Sequence, residues 1–329
     1  MELLLDIALL LLLAITAVAI VRLRDLFAVV MLAGIYGLLS ASFFVSVDAV
    51  DVAFTEAAVG AGVFPLLMLT TLALVGRHEQ TANRRPLLSL LLVSLTGAML
   101  VLGTLDMPAF GSVDAPAHQH VAVRYIEESP EEIGIPNMVT SVLADYRAYD
   151  TLGEVVVIFT AAMGVLGLLS SAGGNQSGPK QATMREHRVL RVVSKMLIPL
   201  ILLFALYVQF HGEYGPGGGF QAGVIFAAGI ILYAMLFGLS NTQRIIRPAL
   251  LQVLAASGVL IYGSVGVVSL LSGGNFLDYS QLLPDPLAGR HLGILVIELG
   301  VGITVAAAMT LIFYAFASVA VSEEDASRC

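Results

Sequence analysis

Apolar residues in this chain run in unbroken blocks long enough to cross a bilayer. Nine such blocks lie near residues 3–21, 26–47, 54–75, 87–104, 152–170, 193–210, 221–239, 249–271 and 291–318. About 20 apolar residues span the hydrocarbon as a helix, because lipid offers backbone polar groups no partner and a helix satisfies them within one segment. The blocks lack the period-two alternation of a β-barrel. The expected fold is all-α, a polytopic integral membrane protein with about nine transmembrane helices. The first block opens on Glu2 instead of a basic region and shows no small-residue cleavage site, so it reads as a retained helix and not a signal peptide.

Placing the connections alternately on two sides puts thirteen of the sixteen Lys and Arg residues on one side and Arg124, Arg147 and Arg290 on the other. By the positive-inside rule the N-terminus then faces outside and the C-terminus faces the cytoplasm, in a multi-pass protein of the inner (cytoplasmic) membrane. Two connections are long. Residues 105–150 carry four prolines and the acidic run Glu127-Glu128-Ser129-Pro130-Glu131-Glu132, followed by Pro136 to Arg147, which reads as a short interfacial helix. Residues 171–183 are rich in Gly, Ser, Asn and Gln and read as a flexible linker. The organisation expected is a three-helix module over 1–80, a two-helix module with an outer loop over 81–170, a linker over 171–184 and a four-helix domain over 185–329.

Composition agrees with this picture: 58% of residues are hydrophobic and 12% charged, against about 25% charged in ordinary soluble domains. The net charge of −8 argues against nucleic acid as a partner. The one cysteine, Cys329, supports neither a disulfide nor a cysteine-ligated cluster or haem, and no cofactor is expected. There is no tryptophan, so an interfacial aromatic belt would have to come from the ten tyrosines.

The candidate chemistry begins at His211-Gly-Glu213-Tyr-Gly-Pro-Gly-Gly-Gly-Phe-Gln221, a stretch without Lys or Arg that joins two apolar blocks. Its glycines and Pro216 cannot continue a helix, so it must turn tightly, and His211 with Glu213 forms a titratable pair beside the membrane. The bland alternative is a hairpin cap. The turn is no phosphate cradle, because the Lys-Ser/Thr of a P-loop is missing.

A carboxylate inside the bilayer costs roughly 2.5–3.5 kcal/mol on insertion scales, so such residues normally face protein or water. Glu298 lies about seven residues inside the last block. Glu154 lies at the start of the fifth, where Thr151-x-x-Glu154 also reads as a capping box. Glu56 falls in the opening turns of the third, where a helix N-terminus favours negative charge. Lys195 reads as a snorkelling residue, and His118 and His120 as solvated loop residues. The Gly-x-x-Gly pairs at 34–37 and 164–167 suit close helix packing.

The glycine stretch and the later Gly293-Ile-Leu-Val-Ile-Glu298-Leu-Gly-Val-Gly-Ile-Thr304 resemble the MnhB-type subunit of Mrp-type multisubunit Na⁺/H⁺ antiporters and its counterpart in membrane-bound hydrogenases, over about residues 185–320. Asp25-Leu-Phe-Ala-Val-Val with Asp51-Val-Ala-Phe-Thr-Glu56-Ala-Ala-Val-Gly-Ala-Gly62 is similar to the small membrane module that ends the large A-type subunit of those antiporters. Residues 137–154, ending Asp145-Tyr-Arg-Ala-Tyr-Asp150-Thr-Leu-Gly-Glu154, resemble the next module of that end. The chain thus looks like three units in one, which departs from the commoner subunit boundary.

The resemblance implies a membrane subunit of a Na⁺/H⁺ antiporter complex and not an enzyme, packed against large proton-channel-like subunits and small membrane subunits. It also implies that Glu154 matches a glutamate proposed to line the ion path, with Na⁺ passing near it and no resident metal. Glu56 and Glu298 would bind and release ions, and His211 with Glu213 would shape the outer entrance. An ion-pumping subunit of a redox complex and a scaffold without its own ion path are the alternatives.

Overall fold

A computed structural model of the chain describes residues 2–79, 86–109, 111–170 and 188–326. The expected linker, together with Arg84, Arg85, Lys180, Arg185, Arg328 and Cys329, lies outside the described residues. Among the described residues nine helices are long and apolar enough to cross a membrane. The elements are α1 (Glu2–Arg22), α2 (Leu26–Ser46), α3 (Val50–Glu56), α4 (Phe64–Val75), α5 (Pro86–Thr104), α6 (Ala148–Ser170), α7 (Arg188–His211), α8 (Gly219–Phe237), α9 (Pro248–Leu271) and α10 (Pro286–Ala326).

Local chemistry sets several of the boundaries. Asp25 caps α2, its Oδ1 accepting from the Phe27 and Ala28 amides at 3.0 and 3.4 Å. Its Oδ2 accepts from Arg77 at 2.8 Å, which ties the α1–α2 turn to the end of α4. The Arg77 guanidinium holds this carboxyl below the usual aspartate range. Pro286 opens α10, and the Leu287 amide donates to Asp285.

The third block is longer at its start than expected, and it is not one regular helix. Between α3 and α4 the chain winds as a π-helix over Ala57–Val63. Pro65 has no N–H to donate one turn back, and Gly60 and Gly62 bring no side chain to resist the wider coil. The widened turn lies against α2, where a Cβ on Gly37 would stand 2.7 Å from the Gly60 carbonyl carbon and one on Gly34 would stand 2.9 Å from Pro65. The 34–37 pair therefore serves close packing, as its spacing predicts. The second pair differs: a Cβ on Gly164 would meet nothing within 4 Å.

The core forms around α10, which packs against α8, α9, α6 and α4. Ile294, Ile297, Val301, Val305, Ala308 and Leu311 of α10 are all buried. By contrast, no residue of the apolar window of α5 is buried. The segment after Pro136 departs from an interfacial helix. Asn137 caps a short helix, Met138–Ser141, by accepting from the Val139 amide at 3.0 Å. A π-turn, Val142–Tyr146, then leads into α6. Asn137, Thr140 and Ser141 are buried because this segment folds down onto the α7–α8 turn.

Candidate ion-path site

The turn between α7 and α8 is held by its own backbone. His211 O accepts from the Tyr214 and Gly215 amides at 2.9 and 3.1 Å, and Val208 O accepts from Gly218 at 3.0 Å. Side chains from the Asn137 segment stitch it from above. Asn137 Nδ2 donates to Gly212 O at 3.1 Å and Gly215 O at 3.0 Å, and Thr140 Oγ1 donates to Gly212 O at 2.6 Å. The same amide reaches Asp51 Oδ1 at 3.3 Å. One asparagine thus joins parts of the sequence 75 and 86 residues away.

The Glu298 carboxylate lies against two of the turn's glycines. A Cβ on Gly218 would stand 2.9 Å from Glu298 Oε1, and one on Gly212 would stand 3.0 Å from Glu298 Oε2. The carboxylate therefore occupies the space that side chains would fill, beside the first residues of α8, where a helix N-terminus favours negative charge.

A cavity of about 300 Å³ opens next to this carboxylate. Glu298 and Glu154 both line it, together with Asp51, Thr55, Thr140 and Gln221. Gln221 Nε2 donates to Thr55 Oγ1 at 2.9 Å. Oxygen donors of this kind are what a hard cation takes, and the carboxylates can equally take protons. Among the described residues no three His, Cys, Asp or Glu side chains converge as metal ligands would.

The five residues singled out in the sequence divide. Glu154 and Glu298 meet at the cavity. Thr151 is no N-cap, since α6 begins at Ala148, and its hydroxyl donates to Leu143 O at 2.7 Å. The capping-box reading of Glu154 therefore falls, and Glu154 is exposed on α6. Glu56 does not line the cavity; it ends α3, with Oε1 2.5 Å from where a Gly60 Cβ would stand. His211 and Glu213 are not partners of each other. His211 stacks on Tyr207 with ring centroids 4.9 Å apart, and Glu213 meets His291 Nδ1 at 3.2 Å while its buried Oε1 has no hydrogen-bond partner among the described residues.

Asp51, Asn137, Gln221 and His291 were missed by sequence reasoning. Gln221 follows the glycines directly and Asp51 stands one helical turn before Thr55, so proximity along the chain was the available signal for both. Nothing local points to His291.

Beside the cavity, Arg290 Nη1 pairs with Asp145 Oδ1 at 2.6 Å and fastens α10 to the turn before α6. Burial pushes the Asp145 carboxyl up, and Arg290 opposes that shift. An acid whose folded pKa is raised binds protons more readily when folded, so its ionised form costs stability at neutral pH and protonation returns it. Arg290→Met should cost about 3–5 kcal/mol at neutral pH, because it strands a buried charge. Asp145→Asn should cost less. Thermal unfolding in detergent should show the Arg290→Met deficit shrinking from pH 7.5 to pH 5 as Asp145 takes up a proton; a deficit that grows would contradict this account.

The fold and site together define a multi-pass all-α membrane protein with two carboxylates from separate helices bordering one cavity. Residues 189–311 match the family described as a domain related to the MnhB subunit of Na⁺/H⁺ antiporters. Residues 11–77 match the MbhD family and residues 91–177 the MbhE family, both described as MBH subunits.

The chain is 33% identical over 135 residues to “Putative antiporter subunit mnhB2” of Staphylococcus aureus (strain MRSA252), covering 37% of this chain and 94% of that one. It is 26% identical over 318 residues to a K(+)/H(+) antiporter A/B protein, named as probable, of Rhizobium meliloti (strain 1021), covering 88% of this chain and 32% of the relative. A chain of the Mrp complex from Dietzia sp. DQ12-45-1b superposes with a TM-score of 0.77 at 25% identity, covering 94% of this chain and 34% of that one. The chain belongs to the MnhB family of antiporter subunits, with further modules ahead of the MnhB-like part. It spans about a third of the length of the Rhizobium relative and of the Dietzia chain.

Proposed function

We propose that this chain is a membrane subunit of a multisubunit Na⁺/H⁺ antiporter complex, and that Glu154 and Glu298 carry ions through the cavity they share. The observation that carries this reading is that these two carboxylates, from helices far apart in sequence, border one cavity, where Asp51, Thr55, Thr140 and Gln221 add oxygens to a lining that is otherwise mostly apolar. Asp51 adds charge there. The other subunits of such a complex are its partners, as the Mrp chain's superposition supports. The N-terminus faces outside and the C-terminus the cytoplasm, on the strength of the basic-residue asymmetry. Residues 1–80, 81–170 and 185–329 act as three joined modules, in keeping with where the three family matches fall.

Glu154→Gln tests the reading. Na⁺-driven dissipation of a proton gradient in everted vesicles should fall at least about tenfold, equivalent to about 1.4 kcal/mol, with the complex still assembling. Intact exchange in that variant would leave the chain a scaffold. The matches to the MbhD and MbhE families favour a second reading, an ion-pumping arm of a redox complex. Mass spectrometry and metal assay of the complex purified through a tagged C-terminus separate the two, since iron–sulfur or nickel subunits would appear only with the second.

A further inference from the structure

A second cavity, which shares no lining residue with the one beside Glu298, has a different chemistry. It is a slot of about 340 Å³ between α7 and α9, floored by α8 and α10. Of the side chains that line it, only Gln209 is polar. The floor is low because it is built from small residues, among them Ala222, Gly223, Gly302 and Ala306. Along α8 the lining runs from Ala222 to Ile230, about 12 Å at 1.5 Å per residue.

The lining is almost wholly apolar, and an extended hydrocarbon chain is narrow enough to lie along a slot of this length. Charge selects the class of lipid. The slot ends at Ile246, and the next residue is Arg247, exposed at the N-cap of α9. Arg244 precedes it on the short helix Leu239–Ile245 and is also exposed. Neither arginine has an ion-pair partner among the described residues.

We propose that the slot between α7 and α9 binds one acyl chain of an anionic phospholipid, whose phosphate is held by Arg247 and Arg244. An arginine fork matches a phosphate, and an acyl chain in an apolar groove removes from the lipid no favourable contact that the groove does not replace. The site is independent of the ion path and requires only that the chain lie in a bilayer. It would fix the α7–α9 spacing behind the glycine turn.

The test is native mass spectrometry of the full chain extracted from vesicles of equal phosphatidylglycerol and phosphatidylcholine. One phosphatidylglycerol per chain should survive mild activation. Ala306→Phe, which fills the slot, should abolish retention, and Arg244→Gln with Arg247→Gln should reduce it at least about fivefold without changing thermal unfolding. The proposal is overturned if both lipids are retained alike, if neither is, or if the Ala306→Phe protein, still folded by thermal unfolding, keeps its lipid. It is overturned equally if a photo-crosslinking residue at Leu250 labels another polypeptide in the assembled complex and no lipid.

Discussion

Glu298→Gln should stop cation/proton exchange, lowering it at least about tenfold, while the chain assembles as well as the native protein or better. The glutamine amide has the shape of the carboxylate and fits against Gly212 and Gly218 without a new clash. What it lacks is the charge that holds a cation and the ability to release a proton. Burying an ionised carboxylate is unfavourable, so the neutral amide relieves a cost. The two readouts are therefore expected to move apart, with exchange lost and thermal unfolding unchanged or raised. A residue that was merely structural would give the opposite pattern, with assembly impaired and residual activity in proportion to the protein made. Exchange above half the native rate in vesicles holding equal amounts of complex would remove Glu298 from the ion path.

How much of this was legible in the sequence follows from what each feature depends on. The spans follow from solvation: lipid demands long apolar helices, and the blocks are visible as composition, so all nine appear near their expected places. Their ends were less legible. The third begins at Val50 instead of 54 and the fifth at Ala148 instead of 152, because polar residues such as Asp51 and Asp150 lie inside helices that protrude beyond the apolar block. The Thr151–Glu154 capping box failed for that reason, its motif being real but already inside the helix.

Glu154 and Glu298 stood out because a carboxylate in an apolar block is costly wherever it points. Their meeting at one cavity was not legible, since it depends on α6 packing against α10. The pairing of His211 with Glu213 failed on a similar ground. Two residues apart at a helix end, they leave in different directions, and a histidine 78 residues beyond Glu213 takes its place. Asn137 was unremarkable as part of a loop, and its role appears only when two distant segments, α3 and the α7–α8 turn, converge on its side-chain amide.

The glycine turn should respond to substitution in a graded way, and the grading follows from which atoms a new methyl group meets. At Gly219, a Cβ would overlap the carbonyl oxygen of Glu298 and stand 2.9 Å from both the Gly302 amide nitrogen and Val301 Cβ. These are backbone atoms and a branch point of the central helix, so α8 and α10 must separate to make room. Overpacking typically costs about 1–3 kcal/mol, and Gly219→Ala should sit at the upper end, with little assembled chain recovered by size-exclusion chromatography.

At Gly218 the backbone has φ 109° and ψ −177°, a region that is essentially confined to glycine and costs other residues about 1–3 kcal/mol. The atom nearest the new Cβ there is Glu298 Oε1, at 2.9 Å, the end of a flexible side chain. Gly218→Ala should therefore lower thermal stability less than Gly219→Ala yet still weaken exchange by displacing the carboxylate. Gly263→Ala in α9 meets nothing within 4 Å and should be neutral or slightly stabilising through helix propensity. If Gly218→Ala exchanged ions normally, the close fit of the turn around Glu298 would matter for packing alone, and the ion path would have to be sought nearer Glu154.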